Sequence, residues 1–171
     1  MILEFAKAVW FILPAFVANS APVIGCKVFG KYNKPIDFGK KLGGKPILGP
    51  GKTWGGLIFG IIFGTLFGFI QSFFQPQDFP VMSLQLAFLL SLGALTGDAF
   101  GSFIKRRLGF ERGKSLPGLD QLGFLVFALV FAYPVATLSV LQIIFLLIVT
   151  PVVHLLTNVL AYLLGLKKEW Y

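Results

Sequence analysis

The sequence predicts an all-α integral membrane protein, with about five transmembrane helices in a single domain over residues 1–171. Of the 171 residues, 56% are hydrophobic and only 13% are charged, whereas soluble domains carry about a quarter charged residues. The mean hydropathy is +0.83. Several apolar runs reach the roughly 20 residues that a helix needs to cross about 30 Å of hydrocarbon. A soluble globular domain is therefore excluded.

Apolar segments long enough to span a bilayer lie at about 5–29, 54–74, 83–103, 119–138 and 141–164. The first contains Pro14 and Pro22 and begins like a secretory signal. Because Glu4 lies inside it and no clean small-residue cleavage site follows, we expect a retained helix. Cys26 is the only cysteine, which excludes an internal disulfide and predicts a small buried residue.

The basic residues predict the orientation in the membrane. Apart from Lys7, the cations lie in or beside the loops at about 30–53 and 104–118, or at Lys167 and Lys168 near the C-terminus. By the positive-inside rule these loops are cytoplasmic, with the N-terminus outside and the C-terminus inside. Contact with anionic lipid is an alternative role for the loop lysines.

Glycines recur at every fourth position along the second and third spans. They are Gly56, Gly60, Gly64 and Gly68 in the second span, and Gly93, Gly97 and Gly101 in the third. Such stripes let helix backbones approach closely within lipid. We expect them to fix the cytoplasmic helix ends relative to one another, and they could also form a homodimer.

Two acids lie where a carboxylate is costly, and such residues by default indicate a functional site. Asp98 lies within the third span and Asp120 at the start of the fourth. On a helix, Asp98 shares a face with Ser102, Lys105 and Arg106. This face is predicted to carry a carboxylate, a hydroxyl and two cations.

The turn at Pro117-Gly118 is predicted to bring the two acids together. Proline suits the first turn of a helix, so Asp120 is expected in the first turn of the fourth span. Asp98 and Asp120 on antiparallel neighbouring helices can converge, and two carboxylates with substrate phosphates suit Mg²⁺. The alternative is a buried salt bridge, for example between Asp98 and Arg106.

Two stretches resemble a known enzyme family. Ser102-x-x-Lys105-Arg106, the basic loop and Pro117-Gly118-x-Asp120 resemble the signature of the phosphatidate cytidylyltransferases. The second aspartate of that signature has no counterpart after Asp120. The small size and the stretch ILGPGKTWGG at 47–56 resemble the archaeal branch, the CDP-archaeol synthases. The motifs cover about 47–56 and 98–124, and the topology covers the whole chain.

The resemblance implies a CTP-dependent cytidylyltransferase that joins CMP to a lipid phosphate, digeranylgeranylglyceryl phosphate, giving CDP-archaeol and pyrophosphate. We assign Asp98 and Asp120 to Mg²⁺ and, with Lys105 and Arg106, to the catalytic set. Positioning and charge neutralisation dominate such transfers, and no general base is required because the lipid phosphate is already ionised. The site is expected at the cytoplasmic face, where soluble CTP meets the membrane-bound phosphate.

Gly51-Lys52-Thr53 looks like the end of a nucleotide-binding P-loop, but the pattern fails. Pro46 stands where the first P-loop glycine is needed, and a membrane helix rather than an α/β domain follows. Lys52 and Thr53 remain candidate triphosphate contacts, because glycines and a helix N-terminus favour phosphate. The predicted nucleotide-binding residues are Lys52, Thr53, Ser102, Lys114, Gly118 and Asn19, where Asn19 could instead stabilise a kink in the first span.

Other functions use the same features differently. A CTP-dependent polyprenol kinase would release CDP instead of pyrophosphate. A CDP-alcohol phosphotransferase needs four clustered carboxylates, and only two are predicted here. A non-enzymatic channel or transporter subunit could use Asp98 as a pore acid but would not need the cytoplasmic cations. The expected partners are CTP, a lipid phosphate and membrane lipids, with no nucleic acid.

Overall fold

The computed structural model describes residues 1–166, and Lys167 and Lys168, predicted on the basic side, lie outside this range. The α-helices are α1 (Ile2–Ser20), α2 (Pro22–Phe29), α3 (Trp54–Ser72), α4 (Leu84–Arg107), α5 (Leu119–Ala132) and α6 (Val140–Leu163). A 3₁₀ turn at Gly30–Tyr32 follows α2, and a hairpin of β1 (Lys41–Leu42) and β2 (Lys45–Pro46) lies between α2 and α3. The predicted helical architecture is confirmed, with this small hairpin as an unpredicted addition.

Within residues 1–166, four helical segments are long and apolar enough to cross a membrane. They are Ile2–Tyr32, Trp54–Ser72, Leu84–Arg107 and Val140–Leu163. The fourth predicted span, 119–138, is shorter in the structure because α5 ends at Ala132. Pro134 has no N–H to continue the helical hydrogen bonds. The 14 residues of α5 rise only about 21 Å, less than the hydrocarbon thickness.

The break between α1 and α2 is a single residue, Ala21, whose N–H still donates to Val17 O at 3.0 Å. Pro22 begins α2, where its missing N–H has no helical partner to lose. The predicted first span is therefore two nearly continuous helices.

The glycine stripes are filled by the chain's own helices. A methyl group at Gly60 would lie 2.8 Å from Ala18 O of α1, and one at Gly93 would lie 2.6 Å from Phe127 O of α5. Both stripes therefore pack inside the described bundle, as predicted for a structural role. They are not available as a homodimer surface.

Hydrogen bonds between distant segments define two ends of the bundle. Lys27 Nζ donates to Gly165 O at 3.5 Å, and Lys45 Nζ donates to Arg107 O at 3.1 Å. These contacts place the loop before α3, the end of α4 and the end of α6 together. The first turns of α1 and α6 meet at the opposite end, where Gln142 Nε2 donates to Glu4 Oε2 at 2.9 Å. The two basic loops thus share one end, which we call the basic end.

Candidate functional site

Helix α4 continues unbroken to Arg107, which carries the predicted polar face to the basic end. Ser102 and Arg106 are buried on this helix. The side chain of Asp98 is 33% exposed, because it opens into a pocket between α2, α3 and α4. The four-residue spacing of Asp98, Ser102 and Arg106 therefore places them in line, as the sequence predicts.

The first ion pair of the site joins Lys52 Nζ to Asp98 Oδ2. The pocket around it has about 330 Å³ of empty volume, part of it open to solvent. Its lining combines this polar pair and Thr53 with apolar residues, among them Pro22 and Leu95. The pocket can therefore offer a cation and a carboxylate to a ligand at the edge of the apolar bundle.

The second ion pair joins Lys105 Nζ to Asp120 Oδ1 at 2.6 Å. The other carboxylate oxygen of Asp120 accepts a hydrogen bond from Leu116 N at 2.9 Å, which ties the acid to the turn before α5. Gly118 precedes α5 with φ of 85°, a conformation that favours glycine. Its N–H donates to Gln121 Oε1 at 2.8 Å, so its role here is to cap the helix.

Arg106 is 9% exposed and lies between the two basic loops. Its Nη2 donates to Glu111 O at 3.3 Å, and its Nε lacks a hydrogen-bond partner among the described residues. A methyl group at Gly49 would lie 3.8 Å from Arg106 Cδ. A buried guanidinium with an unused donor is suited to an anion. The alternative salt bridge between Asp98 and Arg106 is not formed, since Asp98 pairs with Lys52.

The two carboxylates fit a magnesium ion in donor chemistry, and each lies in an ion pair with a lysine. Within residues 1–166, no group of three or more His, Cys, Asp or Glu side chains could hold a metal. Mg²⁺ commonly uses one or two carboxylates completed by water and substrate phosphates. The donor set is therefore compatible with Mg²⁺ when phosphates are present.

Thr53 caps α3, and the first turn of this helix has no spare donors. The N–H of Gly56 donates to Thr53 Oγ1 at 3.2 Å, that of Gly55 to Asn33 Oδ1 at 2.9 Å, and that of Trp54 to Lys34 O at 3.0 Å. The expected approach of phosphate to these amides is therefore blocked by the protein's own acceptors. The Lys52 ammonium, just before this turn, is paired with Asp98 and is not used by the backbone acceptors of the turn.

The remaining predicted nucleotide-binding residues lie outside the pocket. Asn19 is half-buried in the last turn of α1 and does not line it. Lys114 is exposed, and its carbonyl oxygen lies 3.5 Å from Lys105 Nζ, which donates to it. Ser102 is 7% exposed on α4, between the two ion pairs. Of the predicted set, Lys52, Thr53 and Asp98 are thus brought together at the pocket.

Sequence reasoning missed Asp37, Asn33 and Arg107, which organise the loop before α3. Asp37 is 7% exposed and accepts three backbone N–H bonds. Burial raises the pKa of its carboxyl. The N–H donors of Gly49, Leu48 and Gly39 together lower this pKa by more than burial raises it, so it lies below its usual value. The Asp-Phe-Gly order was the available signal, because aspartate commonly bonds the backbone N–H two residues later.

The fold and the site together define a class: a multi-pass membrane protein with a pocket that carries a lysine and a carboxylate near the basic end of its helices. Comparison with known proteins then identifies the group within this class. Residues 1–171 match the family described as "CarS-like: CDP-archaeol synthase". The chain belongs to this family.

Curated relatives match along nearly their whole length. The CDP-archaeol synthase of Pyrococcus horikoshii is 51% identical over 168 residues, covering 96% of both chains. That of Methanococcus aeolicus is 46% identical over 171 residues, covering 94% of this chain and 93% of the relative. A solved structure, of an intramembrane enzyme for archaeal membrane lipid biosynthesis, is 34% identical with a TM-score of 0.78. The alignment covers 89% of this chain and 92% of that one.

Proposed function

We propose that this chain transfers CMP from CTP to digeranylgeranylglyceryl phosphate, giving CDP-archaeol and pyrophosphate. The observation that carries the proposal is the Lys52–Asp98 ion pair in a pocket whose lining combines these charged groups with apolar residues. Such a pocket suits a reaction between a triphosphate and a lipid headgroup. Similarity to CDP-archaeol synthases over nearly the full length of both chains supports the same reaction.

In this reaction an oxygen of the lipid phosphate forms a bond to the α-phosphorus of CTP, and the bond to the departing pyrophosphate breaks. Lys52 and Arg106 hold the triphosphate, with Thr53, Ser102 and Lys114 as further candidate contacts. Lys105, which is paired with Asp120, neutralises phosphate charge closer to the basic loop at 104–118. The lipid phosphate is ionised at neutral pH, so no residue needs to remove a proton. Orientation and charge neutralisation supply the catalysis.

The proposed cofactor is Mg²⁺, held by Asp98 and Asp120. When bound, the ion neutralises phosphate charge and stabilises the leaving group. Each carboxylate is paired with a lysine in this structure. These two ion pairs would therefore separate when phosphate and metal bind. The lysines would turn to phosphate oxygens and the carboxylates to the metal.

We place the basic end at the cytoplasmic face of the cell membrane, because cationic loops are retained there. CTP then reaches the pocket from the cytoplasm, and the lipid phosphate reaches it from the inner leaflet. All the assigned residues come from one chain, so a homodimer is not required for the site.

The test is to incubate purified protein in detergent with CTP, Mg²⁺ and either digeranylgeranylglyceryl phosphate or phosphatidate, and to identify the lipid product by mass spectrometry. We expect a CDP-lipid, formed faster from the ether lipid, and no product when Mg²⁺ is chelated. The Asp98→Asn variant is the matched negative control. If neither acceptor gives a CDP-lipid, the proposal is overturned.

A further inference from the structure

Asp37 lies in the loop between α2 and α3, outside the candidate site, and both of its carboxylate oxygens are occupied by backbone donors. Oδ1 accepts from Gly39 N at 3.0 Å, while Oδ2 accepts from Leu48 N at 2.9 Å and from Gly49 N at 2.8 Å. These N–H groups point at the oxygens that a metal ion would need. The carboxylate also repels phosphate. Asp37 is therefore suited neither to metal nor to substrate, and its function must act through the backbone it holds.

The backbone held by Asp37 forms a closed ring of hydrogen bonds that contains Lys52. The N–H of Gly49 donates to Asp37, and the N–H of Lys52 donates to Gly49 O at 3.2 Å. The carbonyl of Lys52 then accepts from the N–H of Ile36 at 2.8 Å, and Ile36 precedes Asp37 in the chain. Both peptide groups of Lys52 are thus hydrogen-bonded, the N–H to Gly49, which the Asp37 carboxylate holds, and the carbonyl to the residue before Asp37.

The same loop contains a strained residue next to Asp37. Phe38 has φ of 49°, in the left-handed region that is unfavourable for a bulky side chain. The bond from Gly39 N to Asp37 Oδ1 spans this residue and stabilises the turn. Such strain persists only where the surrounding contacts enforce it, and it is concentrated at functional sites.

The outer part of the loop is attached to α4. The Arg107 guanidinium donates to Leu42 O, to Pro46 O, and to Lys45 O at 3.1 Å. The Lys45 ammonium donates in return to Arg107 O at 3.1 Å. Because α4 also carries Asp98, the loop that holds Lys52 is fixed to the helix that holds its ionic partner.

We propose that Asp37 is a positioning residue: its carboxylate closes the hydrogen-bonded ring that holds Lys52 against Asp98 and thereby sets the affinity for the triphosphate. The inference rests on the proposed function, in which Lys52 is a triphosphate contact. Asp37 does not touch the substrate, so its effect on CTP passes through Lys52.

The test is a double-mutant cycle on the full-length protein, with kcat and KM for CTP measured for Asp37→Asn, Lys52→Gln and the double variant. The asparagine keeps the shape of Asp37 but has one acceptor oxygen instead of two and no charge, so it cannot keep all three backbone bonds and weakens the ring. We expect Asp37→Asn to raise the KM for CTP about tenfold with a smaller change in kcat. In the Lys52→Gln background the same substitution is expected to add less than about twofold. Asp78→Asn, an exposed acid at the other end, is the matched control.

Equal effects of Asp37→Asn in both backgrounds would overturn this inference while leaving the function intact. A Lys52→Gln variant with the parent's KM would overturn both the inference and the assignment of Lys52. Absence of any CDP-lipid from the parent protein would instead count against the function itself.

A measurement on the unaltered protein covers the case in which Asp37→Asn does not fold. Hydrogen–deuterium exchange of peptides covering 48–52 is expected to be as slow as that of the helix ends. Exchange at the rate of an unstructured loop would overturn the proposed ring.

Discussion

Lys52 and Asp98 lie 46 positions apart in the chain and form an ion pair at the pocket. Asp98 is predictable as a functional residue, because a carboxylate within an apolar span needs a reason to be there. Lys52 is predictable because of the glycines around it. Their pairing is not, since the contact depends on how the loop before α3 folds over α4. The sequence offers Arg106 as the example of an alternative ionic partner, because Arg106 shares a helix face with Asp98.

Removing either carboxylate is expected to abolish turnover while the protein stays folded. Asp98→Asn and Asp120→Asn each remove a negative charge that faces a lysine, so CDP-lipid formation should fall by at least about a hundredfold. Elution from a size-exclusion column in detergent should be unchanged. Asp78→Asn is the matched control. Activity near the parent's in either variant would remove that acid from the proposed magnesium site.

The stability contribution of Asp37 is expected to depend on pH. Its pKa in the folded protein lies below the usual 3.8, so the unfolded chain binds more protons in the window between the two pKa values. The stabilisation is therefore complete above about pH 5 and is lost as the pH falls through the folded pKa. The Tm difference between the parent and Asp37→Asn should be constant from about pH 8 to 5 and shrink below about pH 4. A difference that grows on acidification would contradict this.

At the scale of helices, α4 and α5 approach most closely at Gly97 and Gly123. A methyl group at Gly97 would collide with Gly123 O, whereas a methyl group at Gly123 would lie 3.5 Å from Gly97 O, an ordinary contact. The stripe itself is readable from the sequence as a packing surface. Which helix fills it is not readable, because every apolar neighbour is chemically similar. The early end of α5 is explained by Pro134, but the hairpin after Phe38 depends on Asp37 and Arg107 contacts that no local pattern specifies.

The asymmetry of this contact gives a prediction. Gly97→Ala should destabilise the protein by about 1–3 kcal/mol, because two backbones must move apart. Gly123→Ala should be close to neutral, since the added methyl group finds room and alanine favours a helix. The measurement is thermal unfolding of both variants in detergent. Equal losses of Tm would show that the close approach at Gly97 is not as described.

At the scale of the whole molecule, the two basic loops meet at one end, and the loop carrying Asp78 lies at the other. The meeting of the loops follows from the two crossings between them, α3 and α4, so the spans themselves predict it. The direction in the membrane rests on charge alone. A labelling experiment therefore tests the orientation directly.

Orientation can be read from cysteine labelling in a Cys26→Ser background. Arg112→Cys lies in the basic loop, and Gln77→Cys lies in the loop at the opposite end; both positions are exposed. A membrane-impermeant maleimide added outside intact cells is expected to label Gln77→Cys alone. Labelling of Arg112→Cys alone would place the basic end outside and separate the pocket from cytoplasmic CTP.

The proposed reaction transfers the α-phosphorus of CTP to the lipid, and the most direct measurement follows that atom. Purified protein is supplied with digeranylgeranylglyceryl phosphate, Mg²⁺ and CTP labelled at either the α- or the γ-phosphorus. We expect the α label to enter the lipid fraction and the γ label to be released as pyrophosphate. A γ label in the lipid with CDP released would contradict it and show a kinase instead.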